Sequence, residues 1–254
     1  MDNEETVEKL GSFLQRKLEE TGSEGYVVGV SGGIDSALTL KVAVEAVGKE
    51  NVHAWILPAA PSTEENVSDA RELCRELGVE TREVDIEPVV KKFGETAGFD
   101  LEEETMGNIR ARARMVYQYI DANENRMLVL GTGNRTEYLL GYFTKFGDGA
   151  VDLRLLEDLY KTEVRELARH IGLDEKFIEK EPTAGLWHGQ TDEDELGTSY
   201  ETLDTVLEHL VDRELSVEET AEETGIDREE VKRIQQMHRN SGHKRKSADS
   251  PEIR

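Results

Sequence analysis

Short apolar runs alternate with longer amphipathic segments in the first part of the chain. The runs that predict strands are Tyr26–Val30, His53–Leu57, Thr81–Ile86 and Met127–Leu130. The segments with helical spacing between them include Asp35–Val47, Glu64–Leu77 and Met106–Ala122. Strand, helix, strand repetition predicts a parallel sheet, and a first run that is apolar without alternation is typical of strands covered on both faces. We therefore expect an α/β fold with a doubly wound, Rossmann-like parallel sheet.

After Tyr160 the pattern predicts helices joined by loops. These helices are roughly Tyr160–Ile171, Tyr200–Val211, Val217–Glu223 and Asp227–Arg239, and a loop with Pro and Gly spans Glu181–Gln190. We expect a single domain over residues 1–254, with an N-terminal helix in 1–24, a nucleotide-binding α/β core in 25–160 and a helical extension in 161–239. The tail 240–254 is basic, polar and without periodicity, so we expect it to be mobile unless a ligand orders it.

The charge of the chain is strongly acidic. It has 55 acidic and 31 basic residues, for a formal net charge of -24 among 254 residues. Such a field repels phosphate backbones, so nucleic-acid binding is disfavoured, and any anionic ligand needs a local basic pocket. An acidic surface of this kind also suggests a halophilic source with a salt-rich cytoplasm.

Cysteine content and hydropathy indicate the compartment. Cys74 is the only cysteine, so no intrachain disulfide can form, which is typical of a reducing interior. We see neither a secretory leader nor a segment of about 20 apolar residues. The expectation is a cytoplasmic protein with no membrane partner.

A glycine-rich loop lies directly after the first predicted strand and directly before a helix. It comprises Gly29, Val30, Ser31, Gly32, Gly33, Ile34, Asp35 and Ser36. Glycines let the backbone approach a ligand, and the N–H groups at a helix start attract anions. The structural alternative is a simple turn in which Asp35 or Ser36 caps the helix.

The loop lacks the lysine of the phosphate loop in kinases and GTPases. It resembles the Ser-Gly-Gly-x-Asp-Ser loop of the N-type ATP pyrophosphatases, which implies an adenylyl transfer from ATP. Several ligase families share that loop, so it does not by itself identify the substrate.

Two longer segments carry a more specific resemblance. They are GTGNRTEYLLGYFTKFGDGAVDLRLLEDLYK at 131–161 and PTAGLWHGQTDEDELG at 182–197. They resemble the ammonia-dependent NAD synthetases, in an archaeal-looking form, since Thr132–Glu137 and Leu155 depart from the bacterial pattern. The resemblance implies an adenine nucleotide alpha hydrolase-like fold and a homodimer. It also implies the last step of NAD biosynthesis, in which deamido-NAD, ATP, Mg²⁺ and ammonia give NAD, AMP and pyrophosphate through an acyl adenylate.

The same resemblance implies roles for individual residues. Asp35, Asp148 and Lys161 would be catalytic, and Asp35 with Glu137 would bind Mg²⁺. Besides the glycine-rich loop, the implied ATP contacts are Thr132, Lys161 and Thr183. The implied deamido-NAD contacts are Arg112, Lys145, Asp152, His243 and Lys244. Arg110 and Arg114, at the other face of the same helix, are expected to pair with surface acids.

Other functions remain possible. Taken without the resemblance, Glu137, Asp148, Lys161 and Thr183 read as ordinary surface or turn residues. A glutamine-dependent synthetase needs an amidase domain with a catalytic cysteine, and Cys74 lies in an ordinary amphipathic helix. A tRNA-thiolating enzyme needs further thiols or a basic face. The segment Val217–Arg239 has helix–turn–helix spacing, but its many acids favour a helical cap or partner surface over DNA contact.

Overall fold

The computed structural model describes residues 2–187, 189–248, 250–251 and 253. Its centre is a five-stranded parallel sheet in the order β3-β2-β1-β4-β5. The strands are β1 (Tyr26–Gly29), β2 (Val52–Ile56), β3 (Glu80–Glu83), β4 (Leu128–Gly131) and β5 (Leu153–Arg154). The chain winds outward from β1 through β2 to β3, then returns to β4 on the other side of β1. The doubly wound fold predicted from the sequence is confirmed, and its topological switch lies between β1 and β4.

Helices surround this sheet and extend beyond it. They are α1 (Asn3–Thr21), α2 (Ile34–Val47), α3 (Glu64–Leu77), α4 (Glu87–Thr96), α5 (Glu103–Asn125), α6 (Arg135–Leu140), α7 (Lys161–His170), α8 (Glu175–Ile178), α9 (Asp192–Leu196), α10 (Tyr200–Leu207), α11 (Val217–Thr224) and α12 (Arg228–Asn240). A π-helical turn, Glu208–Asp212, continues α10, and a 3₁₀ helix, Ser241–Lys244, follows α12.

Both faces of the central strand β1 are buried under helices. Tyr26 and Val28 of β1 belong to a core with residues of α1, α2, α3 and α7, whereas Val27 between them belongs to a second core with residues of α4 and α5. All three side chains have no exposed surface. The continuous apolar run in β1 is therefore explained by burial on both sides, as the sequence predicts.

A third core joins the C-terminal helices to one another. Leu139 and Leu140 of α6 pack with Leu203 of α10 and Val231 of α12. Because α6 follows β4 closely, this core fastens the helical extension at the carboxyl end of the sheet, where ligands of such folds bind.

The predicted boundaries were wrong in several places. The predicted third strand, Thr81–Ile86, ends too late, because β3 ends at Glu83 and Ile86 packs in the core with residues of α4 and α5. The sequence pattern also missed α4, α8, α9 and the two-residue strand β5. The tail was expected to be mobile unless a ligand orders it, and in the structure residues Ser241–Lys244 near its start form the 3₁₀ helix. Within the described ranges, no helix is long and apolar enough to cross a membrane.

Candidate active site

The glycine-rich loop connects β1 to α2 and is held by its own hydroxyls. Ser36 Oγ donates to the carbonyl of Gly33 at 3.0 Å and accepts the N–H of Ser31 at 3.1 Å. Ser31 Oγ accepts the N–H of Gly33 at 3.2 Å. Gly33 caps α2 without a side-chain bond. The first N–H groups of α2 are therefore available for an anion, and the predicted alternative of a side-chain helix cap does not apply.

Gly32 cannot be replaced without moving the loop. Its φ is +84°, and an added Cβ would lie 2.2 Å from the carbonyl oxygen of Asn66. Its own carbonyl accepts a bond from Lys180 Nζ at 3.2 Å. Lys180 also donates to Asn66 Oδ1 at 2.9 Å and pairs with Asp69. A cation thus supports the loop from the side of α3.

Asp35 projects from the first turn of α2 towards the loops after β4. Asn134 Nδ2 donates to its Oδ1 at 2.9 Å, and Lys161, the first residue of α7, pairs with its other oxygen. Lys161 is 2% exposed. Burial disfavours the charged ammonium, but Asp35 and Glu137 outweigh it and raise the pKa of Lys161. A positive charge therefore faces the glycine-rich loop, which we call the phosphate loop below.

Glu137 lies on α6 beside this pair. It forms a capping box with Asn134, whose N–H donates to Glu137 Oε2 at 3.2 Å. Burial, and then repulsion from Asp35 and Asp192, raise the pKa of Glu137 well above its usual value. Three carboxylates thus share one ammonium, that of Lys161, so the cluster attracts a further cation.

Asp192, at the start of α9, is part of this cluster, and the sequence analysis did not select it. Its carboxylate accepts the hydroxyls of Tyr142 at 3.1 Å and Tyr200 at 2.8 Å. Burial raises its pKa, although these hydroxyls and Lys161 act in the opposite direction. Its N–H donates to the carbonyl of Pro182, which fixes the end of the loop containing Thr183.

The helical extension holds the cluster from behind. Asp204 of α10 accepts the hydroxyl of Thr136 and, at 2.8 Å, the N–H of Thr162. Thr136 Oγ1 also accepts the N–H of Lys161 at 3.1 Å. Through these bonds one buried carboxylate fixes α6 relative to α7, and with them Glu137 relative to Lys161.

A second group of selected residues meets at the loop after α6. Lys145 Nζ donates to the carbonyl of His243 at 2.9 Å, and Arg112 donates to the carbonyl of Lys145 at 3.2 Å. Lys244 Nζ donates to the carbonyls of Gly141 and Phe143 at 2.7 and 2.8 Å. The 3₁₀ helix of the tail thereby closes over this loop.

The remaining selected residues lie apart from these two groups. Asp152 accepts the Val129 N–H at 2.7 Å and the Tyr119 hydroxyl at 3.2 Å. Thr132 follows β4 and is half-buried. The Thr183 hydroxyl bonds Gln190 and Gly185 within its own loop. Their ligand contacts stay predictions.

Asp148 is an exposed residue in the loop after α6. Its side chain is accessible to solvent, and it accepts the N–H of Thr144 at 3.0 Å. The surrounding protein raises the pKa of Asp148, although Arg114 and Lys244 favour its charged form. An accessible carboxylate with a raised pKa suits a group that faces substrate.

The expectation that Arg110 and Arg114 pair with surface acids was wrong. Arg110 is 8% exposed, pairs with the equally buried Glu87 and donates to the carbonyl of Leu186 at 2.8 Å. Arg114 donates to the carbonyl of Leu57 at 3.1 Å. These two arginines face the protein, whereas Arg112 is exposed.

Sequence reasoning also missed Asn134 and Lys180. Asn134 followed by Glu137 has the spacing of a capping box, and that pattern could have identified it. Lys180 carries no such local signal, because its partners Gly32 and Asp69 lie more than one hundred residues earlier.

The donor set around Asp35 and Glu137 fits Mg²⁺. Hard carboxylate oxygens are its usual protein ligands, and it commonly takes one or two of them together with phosphates and water. No group of three or more His, Cys, Asp or Glu suited to a metal occurs in the described part of the chain.

The glycine-rich loop lies at the switch point of a parallel sheet and contains no lysine. A buried lysine and paired carboxylates lie next to it. These features define the protein as a nucleotide-binding α/β enzyme. Comparison with known proteins makes the assignment specific. The family model described as NAD synthase matches residues 6–248. The chain therefore belongs to the NAD synthase family, as its sequence motifs indicate.

Individual relatives agree. The chain is 47% identical to the NH(3)-dependent NAD(+) synthetase of Thermococcus kodakarensis over 253 residues, which covers 100% of this chain and 99% of the relative. Among solved structures, it is similar to an NMN synthetase from Francisella tularensis, with a TM-score of 0.88 and 36% identity, covering 100% of both chains. It is also similar to an NH3-dependent NAD synthetase from Campylobacter jejuni, with a TM-score of 0.85 and 31% identity, covering 99% of this chain and 100% of the other.

Proposed function

We propose that this protein is an ammonia-dependent NAD synthetase that amidates deamido-NAD with ATP and ammonia, giving NAD, AMP and pyrophosphate. The observation that carries the proposal is the Asp35–Lys161–Glu137 cluster beside the phosphate loop, in a chain that matches the NAD synthase family over nearly its full length. Relatives named NH(3)-dependent NAD(+) synthetase support the choice of ammonia as nitrogen donor.

The reaction has two steps. A carboxylate oxygen of the nicotinate group attacks the α-phosphorus of ATP, and the bond to the bridging oxygen breaks to release pyrophosphate. Ammonia then attacks the acyl carbon of the adenylate, AMP leaves, and one proton is lost from nitrogen. The adenylate supplies a better leaving group than carboxylate oxygen, and binding both substrates together supplies proximity.

The residues of the phosphate loop and Lys161 serve the first step. The free N–H groups at the start of α2 bind the departing phosphates, and the ammonium of Lys161 offsets the charge that develops on them. Because Lys161 is buried and fixed by Asp35, it needs no reorganisation when that charge appears. Asp35 and Glu137 would hold Mg²⁺, which would supply further charge neutralisation on the phosphates.

We place deamido-NAD at the second group of residues. Arg112, Lys145 and Lys244 supply cations around the loop after α6, as an anionic dinucleotide requires. Asp148 faces the same region and is accessible, which supports a role beside the reacting carboxylate or incoming ammonia. Its raised pKa allows it to take up a proton at neutral pH more readily than an ordinary carboxylate.

We further propose a homodimer formed through the outer face of α5. Val116 and Ile120 lie one turn apart on this face and are 50% and 56% exposed. Arg112 lies one turn before them on the same face, and Phe146, beside Lys145, is 62% exposed. A second copy covering this surface would shield apolar groups and lie next to the proposed dinucleotide site. Light scattering before and after Ile120→Glu tests the dimer.

The proposed domain organisation follows from the same contacts. The site takes residues from the core, the helical extension and the tail, so we treat residues 1–254 as one functional unit. The acidic composition, with a net charge of -24, supports a protein adapted to high salt.

The test is to measure AMP and NAD from deamido-NAD, ATP, Mg²⁺ and ammonium, at low and at multimolar KCl. Equal amounts of both products, lost in Asp35→Ala, are expected. Omitting Mg²⁺ from the assay tests whether the reaction requires the metal. Absence of AMP at every salt concentration contradicts the proposal.

A second acceptor belongs in the same assay, because a similar solved structure is named an NMN synthetase. Nicotinate mononucleotide carries the same carboxylate without the adenylate half. We expect a higher kcat/KM for deamido-NAD, since relatives named NAD(+) synthetase share more of the sequence. A higher value for the mononucleotide would make the protein an NMN synthetase.

A further inference from the structure

Two arginines on the inner face of α5 each bond the backbone of a separate loop near the glycine-rich loop. The first loop, residues 57–63, follows β2, and the second, described at residues 181–187 and 189–191, precedes α9. Arg114 donates to the carbonyl of Leu57, and Arg110 donates to the carbonyl of Leu186. Because β2 is the neighbour of β1, the first loop lies at the carboxyl end of the sheet near the nucleotide site. The second loop is tied to the same site, because Lys180 bonds the carbonyl of Gly32 and Asp192 bonds the carbonyl of Pro182.

Arg110 bonds the second loop directly at Leu186 and is linked to the first loop through its ion pair with Glu87. Its Nε lies 3.4 Å from Glu87 Oε2, and the same oxygen accepts the N–H of Ala60 at 3.0 Å. A continuous path of hydrogen bonds therefore runs from the backbone of Ala60, through Glu87 and Arg110, to the backbone of Leu186.

The second loop is fixed to its surroundings at several points. The N–H of Leu186 donates to Gln190 Oε1 at 2.8 Å, so side chains hold both backbone groups of this residue. The loop also lies close to α5, since a Cβ added at Gly107 would approach Leu186 Cβ to 3.1 Å. At the start of the loop, Lys180 bonds the carbonyl of Gly32. Moving Leu186 would therefore disturb contacts that reach the phosphate loop.

The burial of this pair is hard to explain by stability alone. Arg110 and Glu87 are each 8% exposed, and the desolvation of two charges usually offsets most of their attraction. An apolar pair of similar volume would serve the core equally well. It could not, however, bond the N–H of Ala60 or the carbonyl of Leu186. The contacts made by the pair are those that fix two backbone positions relative to each other.

We propose that Arg110 is a positioning residue for the ligase reaction, which couples the loop 57–63 to the loop 181–191 through Glu87. The coupled loops keep the two sides of the ATP site in one arrangement before ATP binds. The proposal rests on the proposed function only in assigning these loops to ATP. Losing the coupling leaves the competent arrangement partly populated, so the apparent affinity for ATP falls while the chemistry of a bound complex changes little.

The test combines hydrogen exchange with steady-state kinetics on the full chain. Exchange at the amides of Ala60 and Leu186 is measured without nucleotide in the parent protein and in Arg110→Met. We expect both amides to exchange at least about tenfold faster, and KM for ATP to rise roughly tenfold while kcat falls less than about threefold. A role in folding alone would not produce this split between KM and kcat.

Arg233→Met is the matched control. Arg233 also joins a carboxylate, Glu230, to a backbone carbonyl, that of Leu196 at 2.8 Å, but within the helical extension. Arg233→Met should leave both the exchange rate of the Ala60 amide and KM for ATP unchanged. Arg110→Lys retains the charge near Glu87 without the forked geometry, so Leu186 should exchange faster while Ala60 stays protected.

The exchange rates and KM values of these variants can contradict the proposal in two ways. Faster exchange at Leu186 alone in Arg110→Met, or an unchanged KM for ATP, overturns the proposal. If Arg110→Met does not fold, Arg110→Lys decides, because protection of both amides in that variant excludes the hydrogen-bonded path. A parent protein without ligase activity refutes the proposed function, whereas the exchange data still report whether the two loops are coupled.

Discussion

Two buried clusters of charge in this molecule differ in how their carboxylates are satisfied. Asp121, on α5, accepts hydrogen bonds from Trp55 at 2.6 Å, His53 at 3.1 Å and Asn125 at 2.6 Å, and it also pairs with Arg82. Burial opposes its ionisation, but Trp55 and the neighbouring cations lower its pKa below the usual value. The Asp121 carboxylate therefore finds its hydrogen-bond donors and its ion-pair partner within the protein.

The Asp35–Lys161–Glu137 cluster has the opposite balance. Glu137 accepts the N–H of Asn134 and faces Asp35 and Asp192, and its pKa is raised. A carboxylate with four donors is part of the core, whereas one that faces like charges is arranged for a ligand. The two clusters therefore make opposite predictions for activity and for stability.

The largest effect should come from Asp35→Asn. Removing this charge takes away a metal ligand and the anchor of Lys161, so kcat/KM should fall roughly 10²- to 10³-fold. Stability should change little, because repulsion with Glu137 also decreases. Product formation and thermal unfolding are measured together. A large fall in melting temperature would show that this cluster is a structural one.

The reciprocal change is Asp121→Ala. It leaves the indole N–H of Trp55 and the charge of Arg82 without their acceptor, which should cost about 3 kcal/mol in the free energy of unfolding. Urea denaturation measures this cost. Activity per folded molecule should match the parent protein at low temperature, and a specific loss of kcat would contradict the comparison.

Two asparagines provide a smaller, matched comparison. Asn134 donates to Asp35 and Asn125 donates to Asp121, in both cases through the side-chain amide. Asn134→Ala should lower kcat/KM about 10- to 100-fold, as loss of a group that orients a metal ligand does. Asn125→Ala should cost about 1 kcal/mol of stability and leave the kinetics unchanged. Equal kinetic effects in the two variants would remove the distinction.

The smallest effect is a difference in pH dependence. The pKa of Asp192 is raised from its ordinary 3.8, so the folded state holds the proton more tightly and parent stability decreases as pH rises above about that value. The gain from Asp192→Asn should therefore grow with pH. The pKa of Asp121 is lowered, so its contribution is present above 3.8 and is lost as pH falls through its folded value. The cost of Asp121→Asn should thus shrink in acid, by about 1.4 kcal/mol for each unit of pKa shift. Parallel melting-temperature profiles for the two variants would contradict this assignment.

Much of the fold follows from local pattern. The helix Glu64–Leu77 was predicted from its spacing with its observed bounds. In the structure Thr63 caps one end, and Gly78 ends the other in a left-handed conformation. The strand β5 could not be predicted, since two residues provide no period. The order in the tail was also hidden, because Lys244 and Arg245 find their acceptors about one hundred residues earlier, at Gly141 and Leu139.

The candidate site was only partly accessible from sequence. Resemblance selected Asp35, Lys161 and Glu137, and the structure brings these three together. Spacing correctly placed Arg110 and Arg114 on one face of α5, but it could not show that this face is covered. That depends on Leu186, which lies 76 residues after Arg110 in the chain. Long-range partners decide such assignments, and one sequence does not reveal them.

The closure of the loop after α6 by the 3₁₀ helix Ser241–Lys244 has a consequence for biosynthesis. A chain leaving the ribosome exposes its glycine-rich loop well before Lys244, which lies about two hundred residues later in the sequence. At about 5–20 residues per second, the interval between the two is on the order of ten seconds or more. A nascent or prematurely terminated chain can therefore present a nucleotide-binding loop without the contacts that Lys244 makes with the loop after α6.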